Sequence, residues 1–300
     1  MSAPILVSGS IAYDYIMQYD GHFADHILPD QLDKLNVCYI VDQLHRYQGG
    51  TASNICYTLN LLGQSAILLG VVGYDYDLTY LQQQSYIDTQ YVRQNPLLTT
   101  ASFFGTSDQR ANQLMFFSPG AMSDSSALAI VSDPDIKYIM IAPDDPHTMM
   151  LRLEQYHTHP AKIIRDPGQQ ITNLTTVQLQ TACQQADILI VNEYEYMLYQ
   201  SKTGYDGTQL NDYFDVVIVT QGAQGSTRYT ATTQTHISAI PYDGDVYPTG
   251  GGDAYRAGLL HGLIVHNGDR DQAMQIGTRM GWHAIQHHGG QQHTLTQQIS

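Results

Sequence analysis

The sequence is short of positive charge: 13 Lys and Arg stand against 28 Asp and Glu in 300 residues, a formal net charge of −15. A field of that sign repels nucleic-acid backbones and anionic bilayer surfaces, so neither nucleic acid nor membrane is an expected partner. A nucleotide is not excluded, because a local nest of backbone N–H groups binds phosphate whatever the net charge. Cysteine is scarce as well. Cys38, Cys56 and Cys183 are odd in number and form no Cys-x-x-Cys pair, which argues against a disulfide framework and a structural zinc site and fits reduced thiols. No apolar run reaches the ~20 residues of a membrane span. Met1-Ser2-Ala3-Pro4 leads into Ile5-Leu6-Val7 without a basic leader, so the expected location is the cytoplasm. Long Pro/Ser linkers, internal repeats and low-complexity tracts are also missing. Histidine is plentiful, but His287, His288 and His293 lie in a Gly/Gln-rich tail with no repeated ligand spacing. They read as solvated side chains rather than metal ligands.

What the sequence does have is a series of short apolar runs, each ending in Gly or a small polar or acidic residue. They are Ile5 to Ser10, Ala66 to Gly73, Tyr138 to Pro143, Lys162 to Pro167, Asp187 to Asn192 and Val216 to Gly222. Such runs are the punctuation of buried parallel strands. Helical spacing falls between several of them, most clearly at Ala52, Ile55, Leu59 and Leu62, closed by Gly63 at the C′ position. Alternation of this kind predicts βαβ units in one large α/β domain spanning residues 1–300. Ligands gather beyond the carboxyl ends of such strands, which directs attention to Asp14, Asp75, Asp144, Asp166, Asn192 and Thr220. Each alone is equally a turn or cap residue. Two stretches break the layered pattern. Residues 13–47 mix Tyr, His and Asp with β-like runs such as Cys38-Tyr39-Ile40-Val41, and residues 99–122 read as a hairpin with a polar turn at Ser107-Asp108-Gln109. They predict either a small β-sheet lid over the main domain or an extended edge of the main sheet.

The strongest chemical signal is Pro248-Thr249-Gly250-Gly251-Gly252-Asp253-Ala254-Tyr255-Arg256-Ala257-Gly258. Three glycines opening a helix expose backbone N–H groups where the macrodipole adds roughly half a positive charge, which makes an anion hole. An Asp in the first turn is also an ordinary dipole partner. Beside an anion hole, however, it is what phosphorylation of a hydroxyl needs, a base next to a phosphate nest. The run is not a Walker loop, which needs Gly-Lys-Ser/Thr, and no Gly-x-Gly-x-x-Gly follows the first strand.

Tyr247-Pro248-Thr249-Gly250-Gly251-Gly252-Asp253 resembles the C-terminal signature of the ribokinase-like (PfkB) carbohydrate and nucleoside kinases, with Tyr247 in place of an Asp that opens the motif and Gly251 in place of a small residue. Gly49-Gly50-Thr51-Ala52-Ser53-Asn54 is similar to that family's second signature, and the likeness runs in matching order along nearly the whole chain. It implies a three-layer α/β/α sandwich with a small β lid, ATP and Mg²⁺ as cofactors, and Asp253 as the base beside Gly250, Gly251 and Gly252. Gly9-Ser10 through Asp14 looks like the family's first strand. By the same resemblance Ser10, Asp14, Gly50 and Asn54 bind the sugar, a carboxylate and an amide being suited to a diol. Asn192-Glu193-Tyr194-Glu195 matches an Asn-x-x-Glu motif, implying that Asn192 and Glu195 organise Mg²⁺ through water. Thr220, Gly222 and Gly225 are similar to the nucleotide loop. Segments including Ile27-Leu28-Pro29-Asp30-Gln31-Leu32 and Asp166-Pro167-Gly168-Gln169-Gln170 look like the bacterial adenosine kinase branch, which implies the 5′-hydroxyl of adenosine as acceptor, with Phe103, Phe117 and Cys38 around the purine. Aromatic faces suit a flat base, although the same Phe pairs serve as hairpin core. The alternatives are kinase action on a free sugar such as ribose, or a non-catalytic nucleoside-binding protein of the same fold. Exposed strand edges in the lid invite pairing into a homodimer.

Overall fold

The computed structural model describes residues 4–27, 34, 36–110 and 112–295. Strand β1 (Ile5–Ser8) is buried along its whole length. After the Gly9-Ser10 bend the chain leaves the main sheet for β2 (Ala12–Gln18), and it returns through β3 (Leu44–Gly49) to helix α1 (Thr51–Leu61). Then come β4 (Ala66–Gly73), α2 (Leu78–Gln82), β5 (Ile87–Asp88), β6 (Val92–Asn95), and the hairpin β7 (Ala101–Ser107) and β8 (Gln113–Ser118). The second half alternates more regularly. Its elements are β9 (Tyr138–Ile141), α3 (Pro146–Tyr156), β10 (Lys162–Arg165), α4 (Thr176–Cys183), β11 (Ile188–Asn192), α5 (Glu193–Thr203), α6 (Gly207–Tyr213), β12 (Val216–Thr220), β13 (Ser226–Tyr229), β14 (Gln234–Ile237), α7 (Gly251–Val265) and α8 (Arg270–Ala284).

The main sheet runs β14-β13-β12-β11-β10-β9-β1-β4-β5, with β6 also beside β4. Pairing is parallel from β12 to β5, and β13 and β14 add an antiparallel edge. Side chains alternate between two cores, as strands covered on both faces require. Leu6, Ile139, Ile163, Leu189 and Val217 pack against α3, α4, α5 and α6. Ile5, Met140, Ile164, Ile188 and Val216 pack against α1, α7 and α8. This is the three-layer α/β/α arrangement expected of a ribokinase-like fold.

The lid is a separate four-stranded sheet in the order β3-β2-β7-β8, not an extension of the main sheet. Asp108 secures its turn, accepting from the backbone N–H groups of Phe23, Arg110 and Asn112 at 3.1, 2.9 and 2.9 Å. Three expectations need correction. Cys38-Tyr39-Ile40-Val41 is not a strand: residues 36–43 are irregular, and the Tyr39 hydroxyl bonds the Phe23 carbonyl at 3.0 Å instead of a neighbouring strand closing a ladder. Asp14 does not belong to the first strand, which ends at Ser8, but to lid strand β2. His293 is not solvated. It is fully buried, with Nε2 3.0 Å from the Thr58 hydroxyl, because the tail folds back onto α1. Segment 27–32 lies, apart from Ile27, outside the described residues.

Candidate active site

At the carboxyl end of the parallel strands, under the lid, lies a cavity of about 640 Å³. Of the six polar residues expected along this edge, Asp14, Asp166, Asn192 and Thr220 line it. Asp75 and Asp144 are structural instead. Asp75 accepts from the N–H and hydroxyl of Thr100 at 2.7 Å each, and Asp144 from Ser125 at 2.8 Å and the Asp145 N–H at 2.7 Å.

One wall is the junction of β1 with α1. Gly50 has φ +89°, and a Cβ there would come within 2.6 Å of the Ala12 nitrogen and the Ser10 carbonyl oxygen, so the close crossing demands glycine. The Ser10 hydroxyl accepts from the Thr51 N–H at 3.0 Å and satisfies the start of α1. One turn on, Asn54 is buried and its Nδ2 donates to Asp253 Oδ2 at 2.8 Å.

The floor is the start of α7. Gly250 is the N-cap with φ +84°, its carbonyl accepts from Ala254, and Gly251 donates to the Pro248 carbonyl at 3.2 Å. The Gly251 N–H is thereby withdrawn from the expected anion hole, while those of Gly252 and Asp253 have no intrahelical partner in the first turn. Tyr247 keeps this turn in place despite replacing an Asp: its N–H donates to the Ile285 carbonyl at 2.7 Å, and its ring packs on His288. Burial pushes the Asp253 carboxyl up to about 6, opposed by the Arg256 guanidinium and the Asn54 hydrogen bond. Asp14 is raised to about 7 by burial and by the Asp253 charge.

Arg256 is the group that motif reading passed over. It lies three residues after Asp253, on the same helix face. Its Nη2 donates to Asp166 Oδ1 at 3.0 Å, Nε lies 2.5 Å from Asp166 Oδ2, and Nη1 donates to the Gly252 carbonyl at 3.0 Å. The carboxylates of Asp166, Asp253 and Glu195 hold its charge despite burial. With Asp14, the lining carries four carboxylates and one guanidinium.

Asn192 and Glu195 stand together at the start of α5 for a local reason. They form a capping box, Asn192 Oδ1 accepting from the Glu195 N–H at 2.8 Å and Glu195 Oε2 from the Asn192 N–H at 2.9 Å. Both still line the cavity, and Glu195 Oε1 takes no part in the box. Burial raises the Glu195 carboxyl. One free carboxylate oxygen in a carboxylate-rich pocket fits a divalent cation that keeps most of its water, rather than a protein cage.

Thr220 lines the cavity, whereas Gly222 and Gly225 form the β12–β13 turn outside its lining. In the lid, Phe103 is paired directly across from Phe117, and both line the cavity on the face that carries Asp14. Phe104 points the other way and stacks on Tyr15 with ring centroids 4.8 Å apart. Cys38 does not line the cavity: it is exposed on the irregular 36–43 segment, off the strand ladder that would have aimed it inward.

A buried carboxylate in the first turn of a glycine-opened helix, at the carboxyl end of a parallel α/β sheet and under a β lid, is the arrangement of a small-molecule phosphotransferase. The pfkB family carbohydrate kinase profile matches residues 4–297, and the chain belongs to that family and is a kinase. It is similar to the nucleoside kinase of Methanothermobacter thermautotrophicus, 29% identical over 87% of this chain and 82% of the relative. Among solved structures it resembles Burkholderia thailandensis nucleoside kinase in complex with inosine, at TM-score 0.87 and 33% identity over 97% of this chain and 93% of that one. The same enzyme in complex with ADP-inosine matches at TM-score 0.84 and 34% identity over 97% and 92%.

Proposed function

We propose that the protein transfers the γ-phosphoryl group of ATP to the 5′-hydroxyl of adenosine, giving AMP and ADP in the cytoplasm. The observation that carries this reading is the single cavity that joins the Phe103 and Phe117 face of the lid to Asp14, and Asp14 to Asp253. The aromatic pair offers a flat base its contact area. Asp14 and Asn54 meet the ribose diol, with Ser10 and Gly50 shaping the wall behind it. Asp253 takes the proton from the attacking hydroxyl, and the N–H groups of Gly252 and Asp253 steady the charge that develops on the transferring group. Asn192 and Glu195 would hold Mg²⁺ through water, and the ion would supply charge neutralisation to phosphates that otherwise meet four carboxylates. Thr220 stands where ATP would lie, with Gly222 and Gly225 shaping the loop behind it. Lid closure would exclude water and limit ATP hydrolysis. The likeness to nucleoside kinases, one of them in complex with inosine, supports a nucleoside over a free sugar.

The test is a panel of adenosine, inosine, other nucleosides and ribose with Mg-ATP, the products identified by mass. Adenosine is expected to yield AMP. Phosphorylation of ribose with no turnover of adenosine would overturn the acceptor, and ligand-induced thermal stabilisation without any ADP formation would overturn catalysis. The outward face of the lid supports a second element of the proposal, a homodimer formed lid to lid.

A further inference from the structure

The Gly289-Gly290-Gln291 segment that follows α8 does not line the cavity but packs behind two residues that do, Asn54 and Gly250, although its composition reads as a tail. Gly290 is wedged between the start of α7 and α1. A Cβ on Gly250 would come within 2.4 Å of the Gly290 Cα, and a Cβ on Gly290 within 2.5 Å of Asn54 Nδ2. The next residue, Gln291, is buried, and its amide is fully engaged. Nε2 donates to the Ser53 hydroxyl at 2.7 Å and to Asn54 Oδ1 at 2.9 Å, and Oε1 accepts from the Tyr80 hydroxyl at 2.9 Å. Two residues on, the His293 carbonyl accepts from the Tyr57 hydroxyl at 2.8 Å, which fastens the segment to α1.

Asn54 is the last link. An amide side chain can sit in either of two orientations that differ by exchange of O and N, and only its hydrogen-bond partners choose between them. With Oδ1 toward Gln291 and Nδ2 toward Asp253, Asn54 makes two good bonds. Turned over, it would set its N–H groups against the Gln291 N–H and its oxygen against the Asp253 carboxylate. A buried polar group left without a partner costs more than the bond itself contributes, so the pair of contacts selects one orientation strongly. Gln291 is itself held at both ends by the Tyr80 and Ser53 hydroxyls, so its amide stays beside Asn54 Oδ1.

We propose that Gln291 is a positioning residue for phosphoryl transfer: by donating to Asn54 Oδ1 it keeps the Asn54 amide turned as a donor to Asp253 Oδ2, leaving Asp253 Oδ1 as the oxygen that takes the substrate proton. The proposal rests on the reading of Asp253 as the base. Gln291 touches neither acceptor nor nucleotide. It acts through Asn54 alone, so its effect disappears when Asn54 is gone.

The experiment is a double-mutant cycle on the full-length enzyme with Gln291→Met, which keeps volume and removes the donor, Asn54→Ala, and the two combined, alongside Asp253→Ala. Gln291→Met is expected to lower kcat about 10- to 100-fold, the scale of a slightly misplaced reacting group, with the KM for adenosine shifted no further than in Asn54→Ala. The double mutant is expected to be no slower than Asn54→Ala. Retained kcat in folded Gln291→Met, or a loss that multiplies with that of Asn54→Ala, would overturn the proposal by making Gln291 a packing residue. If Gln291→Met does not fold, Tyr80→Phe decides: a fall in kcat that vanishes in the Asn54→Ala background supports the relay, and unchanged kcat rejects it. Near wild-type turnover in Asp253→Ala would remove the base assignment itself. An inactive Asp253→Ala with a fully active Gln291→Met would defeat only the role of Gln291.

Discussion

Asp253 is held in a place that opposes its charge. Burial lifts its carboxyl from 3.8 to about 6 while Arg256 and Asn54 pull it back, so the group ionises within the range where the enzyme would work. Two consequences have opposite signs. A base must be ionised to act, so kcat/KM should fall as pH drops through about 6. The folded pKa lies above the unfolded one, so the contribution of Asp253 to stability is fully present below about pH 4 and is lost as pH rises through about 6. Asp253→Asn should therefore lose about 10²- to 10⁴-fold in kcat, yet melt above the wild type at pH 8 and lose that advantage at pH 4. A pH series of melting curves with initial rates checks both. At this scale Asp253 in a first helical turn was legible, because a glycine run before an Asp is a local pattern. Its partner was not: Asn54 lies 199 residues away, and only the packing of α1 against α7 brings the two together. Arg256 was visible in the same motif, but its role depends on Asp166, which comes from another strand.

Helix α7 keeps the site geometry because it packs on α8 almost backbone to backbone. A Cβ on Gly258 would approach the Gly277 Cα and the Ile276 carbonyl oxygen to 2.8 Å, and one on Gly262 would approach the Ala273 Cα to 2.4 Å. Backbone atoms cannot rotate aside, so Gly258→Val must push the helices apart, an overpacking cost of about 1–3 kcal/mol. The melting temperature should drop by at least about 2 °C. kcat should drop with it, since the displaced end of α7 carries Gly252 and Asp253; a calorimetric scan paired with a rate assay reads both. Elements built from local signals were the legible ones. The apolar runs became β1, β4, β9, β10, β11 and β12, and the Ala52 to Leu62 spacing became α1 closed by Gly63. Asn192-x-x-Glu195 was read through the resemblance alone, and that the pair is also a capping box on the cavity wall emerges only from the start of α5. Where an element takes its shape from a distant partner, local pattern misled. Cys38 to Val41 has β-branched and aromatic residues but pairs with no strand, and the tail carrying Gln291 and His293 has polar composition yet is buried by its bonds to α1.

At the scale of the whole molecule, the lid has two unlike faces, and hairpin alternation assigns them. Phe103 and Phe117 face the cavity, which leaves Phe104 on the outer surface, stacked on Tyr15, with Leu44 59% exposed at the end of β3. That a lid existed was readable from two stretches that broke the βαβ rhythm; that its outer face is largely apolar, with Arg46 paired with Tyr15, depended on strand register. An apolar sheet face in water gains by packing on another sheet, and a second copy offers the same face. Opposing this is the net charge of −15 on each copy, a repulsion that salt screens over a Debye length of about 10 Å at 0.1 M. Association should therefore strengthen with ionic strength, the reverse of an interface held by ion pairs. Sedimentation equilibrium is expected to give twice the 33.4 kDa chain mass at about 0.15 M salt, and a value falling toward one chain at about 0.01 M. Phe104→Asp places a charge on the outer face at a residue that does not itself line the cavity, and should give 33.4 kDa at both salts with adenosine KM within about threefold of wild type. A wild-type mass of one chain at both salts would reject the lid-to-lid dimer and assign the outer face to solvent.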